Sequence, residues 1–127
     1  MTNLFRVRHS GAARSETLGP DQFRFLATVD ETGGSYSLIE VDVPVGSGPP
    51  PHVHAESEEW FYVLRGHAVF HLDGIAAEAR AGDHVHIPRG VTHSFEVTDE
   101  DLTVLIGFSP GGEEQQFLPE NRTAEQP

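Results

Sequence analysis

The 127-residue chain contains no cysteine and no lysine. Without a thiol there is no disulfide, no thiolate nucleophile and no thiolate metal site; without lysine there is no side-chain amine for Schiff-base chemistry. Positive charge is scarce, with eight arginines against twenty Asp and Glu and a formal net charge of −12. Nucleic acid and an anionic membrane surface are therefore not expected as partners, because phosphates demand a basic face. No apolar run approaches the ~18 residues of a membrane span, and the segment Met1 to Arg8 lacks the apolar stretch of a secretory signal. A cytoplasmic protein is expected. What the chain has in excess is histidine, with eight residues, and any metal held here must be bound through nitrogen and oxygen.

The length fits one domain, since ~100–200 residues per domain is usual. The apolar residues recur at period two in short stretches rich in Val, Ile, Phe and Tyr. These predict strands over 23–30, 36–43, 60–65, 68–72, 76–80, 84–87, 93–97 and 102–108. The separators are turn chemistry, such as Asp73-Gly74, Gly82-Asp83 and Pro88-Arg89-Gly90, and no window offers a capped helical face. An all-β sandwich or barrel over residues 23–110 is expected. Residues 1–22 read as an N-terminal arm and 111–127 as a C-terminal tail. Phe5, Val7, Phe117 and Leu118 are apolar enough to dock these ends on the barrel or on a second subunit.

His52-Val53-His54 places two imidazoles two residues apart, on one face if that segment is extended. Glu59 follows five residues later, and His93 lies just past the turn Pro88-Arg89-Gly90. Three imidazoles and one carboxylate suit a divalent Fe, Mn, Ni, Co, Cu or Zn ion and leave coordination positions open. The other histidines read differently. His67 and His71, and likewise His84 and His86, alternate with apolar residues and are expected on outer faces; His9 carries no signal.

Gly46, His52-Val53-His54, Glu59 and Gly66, in that spacing, resemble the first motif of the cupin superfamily. Gly82, Pro88-Arg89-Gly90 and His93 resemble the second, and the short spacer between Gly66 and Gly82 is similar to that of small single-domain members. One position departs: the second motif commonly ends in Asn four residues after the histidine, where this chain has Val97. The resemblance implies a cupin-type double-stranded β-helix, or jelly-roll barrel, with His52, His54, Glu59 and His93 as metal ligands inside it.

If Glu59 faces the metal, Phe61 and Val63 on the same strand face should lie beside it, and with Phe70 and Phe95 they form the expected substrate pocket. Most of the remaining aromatic residues read as core filling. Glu31-Thr32-Gly33-Gly34, the run Gly48 to His54 and the ending Phe108 to Glu113 are similar to small cupins grouped with quercetin 2,3-dioxygenase. That likeness implies a dioxygenase acting with O2 on an aromatic or enolic small molecule such as a flavonol or diketone. Glu59 would then be ligand and catalytic base at once. An oxygen-independent cyclase or isomerase using the metal as Lewis acid, and a non-enzymatic binding or sensor module, are the alternatives. A homodimer is expected, with Trp60, Tyr62, His84 and His86 as outer-face interface material.

Overall fold

The computed structural model describes residues 5–122, and in it nine strands form two antiparallel sheets. The larger sheet runs β1 (Arg14–Leu18), β2 (Asp21–Ala27), β3 (Ser37–Val43), β9 (Leu102–Ser109), β4 (Glu58–Arg65) and β7 (His84–Ile87), in that spatial order. The smaller runs β6 (Ile75–Arg80), β5 (His67–Leu72) and β8 (His93–Glu96). This is the two-sheet jelly-roll architecture expected from the period-two pattern. No helix among the described residues is long and apolar enough to cross a membrane.

The alternation that marks the strands also builds the core. Ile39, Val41 and Val43 of β3, Phe61 and Val63 of β4, and Leu102, Val104, Ile106 and Phe108 of β9 all turn into the space between the sheets and are buried. Fully burying one such side chain is worth about 1.5–3 kcal/mol. Phe61, Phe70 and Phe95 pack edge-on or tilted, with ring centroids 4.9–5.8 Å apart. Val97, at the place where the second motif commonly has Asn, is buried in this core.

Two segments depart from the sequence expectation. Residues 14–18, placed in the N-terminal arm, form β1, which pairs along its whole length with the start of β2. Its residues Arg14, Ser15, Glu16 and Thr17 carry no apolar alternation, because an edge strand with solvent on one side needs none. The first expected strand therefore begins earlier, at Asp21, and ends at Ala27, where Glu31 and Gly34 N–H groups turn the chain back onto the Thr28 and Val29 carbonyls.

The C-terminal segment packs on the body of the fold. A 3-10 helix over Glu113–Phe117 follows β9, Phe117 stacks on Phe23 at 4.6 Å, and Leu118 is buried. Glu114 anchors it. Its carboxylate is fully buried and accepts the Val29 N–H at 2.8 Å, the Gly112 N–H at 3.0 Å and the Gln115 amide at 3.1 Å. Burial pushes this carboxyl up, and the donors around it, Ser37 included, outweigh burial and hold it below its ordinary value. Phe5 and Val7 of the N-terminal arm, by contrast, are almost fully exposed.

Two predictions follow from these contacts. Gly66 has φ +77° and a Cβ there would lie 2.2 Å from the Asp101 carbonyl oxygen, whereas Gly74 has φ +81° with open space around it. Gly74→Ala should cost about 1–3 kcal/mol from backbone conformation alone, and Gly66→Ala clearly more, in chemical denaturation. Because the folded Glu114 lies below its ordinary 4.5, its stabilisation is complete above that pH and fades as pH falls through the lowered value. Denaturation midpoints followed from about pH 6 to about pH 3 should fall less steeply in Glu114→Gln, which starts from lower stability.

Candidate metal centre

His52 and His93 are joined through the backbone before their side chains meet. Each N–H donates to the other's carbonyl at 2.9 Å, so the loop over residues 46–54 runs antiparallel to β8. At the far end of this pairing the Gly46 N–H donates to the Val97 carbonyl at 2.8 Å. Between these ties Gly48, at φ +140°, lies so close to β8 that a Cβ would come 2.3 Å from the Phe95 carbonyl oxygen. Only glycine lets the loop approach this closely and carry His52 to its place. On the other side the Gly90 N–H donates to the His54 carbonyl at 3.0 Å. Glu59 arrives from β4, turned inward by the same alternation as Phe61 and Val63.

The result is a compact cluster. One nitrogen or oxygen from each of His52, His54, Glu59 and His93 lies within 4.8 Å of all the others. Glu59 Oε1 stands 2.8 Å from His93 Nε2 and 3.3 Å from His54 Nε2. The second ring nitrogens are also engaged. His52 Nδ1 is 2.9 Å from the Pro50 carbonyl and His93 Nδ1 2.8 Å from the Val91 carbonyl, while His54 Nδ1 is 3.3 Å from the Glu113 carboxylate.

Those outer partners decide the tautomers. A carbonyl oxygen can only accept, so Nδ1 of His52 and of His93 carries the proton, and each neutral ring then turns the Nε2 lone pair into the cluster. A lone pair on His93 Nε2 facing a carboxylate oxygen at 2.8 Å is two acceptors in contact. A proton or a cation must lie between them, in a place where both groups are almost entirely buried. The donor set therefore fits a divalent ion bound through three Nε2 atoms and one carboxylate oxygen, with the outer carbonyls and Glu113 orienting the rings.

Without an ion, protons share the same electrostatics. Burial drives the Glu59 carboxyl up, yet the hydrogen bonds from His54 and His93 outweigh it and leave the group below its ordinary value. His54 is pushed up by its hydrogen bond to Glu59, against burial, with the Glu113 charge adding to the rise. His52 is pushed down, chiefly by burial, which keeps its imidazole neutral.

His52, His54 and Glu59 face a cavity of about 440 Å³, while His93 lies behind them. Its walls are largely apolar and include Val41, Phe61, Phe95, Ile106 and Phe108, with Phe117 contributed by the C-terminal segment. Of the expected pocket residues, Phe61 and Phe95 line this space. Val63 and Phe70 do not: Val63 is fully buried in the core, and Phe70 packs behind Phe61 and Phe95. Sequence reasoning missed Glu113 as a partner of His54, and Asp21, Ser47 and Gln116 as lining residues. All four are polar, Asp21 at the first position of β2 and the others in a turn or the C-terminal segment, and none belongs to an apolar alternation that would mark it.

The remaining histidines lie elsewhere. His84 and His86 are exposed, and His71 is half-exposed beside Glu96. His67, expected to face outward, is buried, with Asp99 at 3.3 Å, Glu100 at 3.4 Å and Glu78 at 4.0 Å. The turn between β8 and β9 folds over it, seated on Gly66.

A family model described as the Cupin domain matches residues 39–108. The chain belongs to the cupin family. Among its relatives is a quercetin 2,3-dioxygenase of Aspergillus japonicus, 30% identical over 118 residues, which cover 87% of this chain and 34% of that protein. This cupin thus spans about a third of that relative's length. Among solved structures, an RmlC-like cupin from Shewanella frigidimarina superposes with a TM-score of 0.76 at 20% identity, covering 91% of this chain and 99% of that one. The polyketide cyclase RemF from Streptomyces resistomycificus gives a TM-score of 0.73 at 22% identity, covering 93% and 96%.

His52→Ala and His93→Ala should each lose most of the bound metal in elemental analysis while keeping the β-sheet circular dichroism of the parent. Glu113→Gln should keep the metal but weaken its affinity about 10–100-fold in competition with a chelator. Full retention of metal in both alanine variants would overturn the ligand assignment.

Proposed function

We propose that this cupin is a mononuclear metal-dependent dioxygenase acting on an aromatic or enolic small molecule of flavonol, diketone or polyketide type. The observation that carries the reading is the three-imidazole, one-carboxylate cluster opening onto a largely apolar cavity of about 440 Å³. A cavity of that size and lining suits a flat, mostly apolar ligand with a polar end directed at the cluster. The likeness to quercetin 2,3-dioxygenase supports the substrate class.

A divalent transition ion bound at the cluster supplies Lewis acidity toward an enolic oxygen and a redox couple for O2. The rest is the work of the chain's own side chains. Phe61, Phe95 and Phe108 exclude water and hold an aromatic ring flat against the cluster. Glu59 takes the proton of the substrate hydroxyl on its carboxylate. In a site where burial alone would neutralise it, that carboxylate would stay ionised beside a bound cation and so can accept the proton. Glu113 holds the His54 ring in the orientation that leaves its Nε2 beside Glu59.

Protein verified to contain Fe, Mn, Ni or Co should consume oxygen with a member of a panel of flavonols and β-diketones. Glu59→Gln should lower the rate about 100-fold or more. An oxygen electrode that stays flat across the whole panel would overturn the proposal. Turnover that continues in an anaerobic chamber would replace it with an oxygen-independent cyclase or isomerase.

A further inference from the structure

The cavity has a second polar pair that the cluster does not use. Asp21, the first residue of β2, lines the cavity, as does Ser47 of the loop that carries His52. The Ser47 hydroxyl donates to Asp21 Oδ1 at 2.7 Å. Asp21 makes no other side-chain hydrogen bond and no ion pair among the described residues, so Oδ2 has no protein partner beside a largely apolar space.

The loop that carries both Ser47 and His52 runs along β8 between two backbone ties. Ser47 follows Gly46, which is tied to Val97, whereas His52 is tied to His93. The two ties are four strand residues apart, or ~13 Å. A cavity of about 440 Å³ along this stretch has room for a two- or three-ring aromatic molecule. Among the described residues no arginine lines the cavity, and its acidic groups are Asp21 and Glu59. A ligand carboxylate or phosphate beside this pair would face Asp21 with no cation to balance it. A hydroxyl there would donate to the free Oδ2, a hydrogen bond to a charged acceptor.

We infer that Asp21, held by Ser47, is the specificity-determining residue in the wall of the cavity. It selects neutral aromatic substrates that carry a hydroxyl on the end remote from the metal-binding cluster and rejects those that carry an acid there. Burial raises the Asp21 carboxyl above its ordinary value against the hydrogen bond from Ser47, in keeping with a carboxylate short of donors. The inference rests on the cluster and cavity being a substrate site, and not on the use of oxygen.

Zinc-loaded protein titrated under nitrogen by calorimetry separates binding from oxygenation, because zinc has no redox chemistry. The probes are 3-hydroxyflavone, its 4′-hydroxy and 7-hydroxy derivatives, and its 4′-carboxylate. At least one dihydroxy probe should bind about 10-fold or more tighter than 3-hydroxyflavone, and the carboxylate weaker. Asp21→Ala should reduce the preference for the hydroxyl to less than about 3-fold and relieve the penalty on the carboxylate, with Ser47→Ala in between. Both variants should keep the zinc content and the β-sheet circular dichroism of the parent, which controls for folding. Equal binding of the hydroxylated and parent probes, a preference that survives Asp21→Ala, or no binding by any probe would overturn the inference. Selective binding by a protein that consumes no oxygen with its natural metal would leave the inference standing and remove the dioxygenase reading.

Discussion

The contact between Glu59 and His93 organises this protein. A carboxylate oxygen and an imidazole nitrogen meet at 2.8 Å with both groups buried, and the outer nitrogen of the ring is already committed to the Val91 carbonyl. In a low-dielectric interior that arrangement is costly unless a proton or cation sits between the two acceptors. The fold around it supplies the means to keep it in place. β4 delivers Glu59 from one sheet, β8 delivers His93 from the other, and the loop over residues 46–54 locks His52 to His93 through reciprocal backbone bonds. A site built across two sheets is only as stable as the packing between them, so the phenylalanine cluster of Phe61, Phe70 and Phe95 serves the metal-binding geometry as well as the core.

The terminal segments have a larger part than their polarity suggests. Glu114 fastens the 3-10 helix over Glu113–Phe117 to the turn after β2, and this places Glu113 against His54 and Phe117 against Phe23 at the cavity wall. The β1–β2 hairpin brings Asp21 into the wall of the same cavity. The space is thus polar at the cluster and again at the Asp21–Ser47 pair, and much of the remaining wall is aromatic. Recognition of a long, flat molecule with a donor at the far end is a direct reading of that polarity.

Much of the fold and of the cluster could be read in the sequence, and for a physical reason. Strands buried on one face must alternate, so Ile39, Val41 and Val43, or Phe61 and Val63, reveal their side of the sheet at once. Metal ligation needs a narrow set of residue types, and His52, His54, Glu59 and His93 stood out against a chain with no cysteine. Elements stabilised by solvent-facing pairing or by capping leave no such pattern. β1 was legible only as an arm for this reason. His67 was expected outside because alternation describes a strand and its sheet, and is silent about a turn such as 98–101 folding over one end. Val63 and Phe70 were expected in the pocket because they are apolar and near Glu59, yet depth in the core separates them from the cavity.

The absence of cysteine and lysine, the histidine pattern and the period-two alternation by themselves determined an all-β fold and a nitrogen-and-oxygen donor set. These are properties of residue type and local spacing, which act over a few residues. Tertiary structure alone decided the tautomers of the ligand imidazoles, the pairing of His54 with Glu113 and the placing of Asp21 in the cavity wall. Each of those depends on groups far apart in the chain, and only the closure of the two sheets brings them within reach of one another.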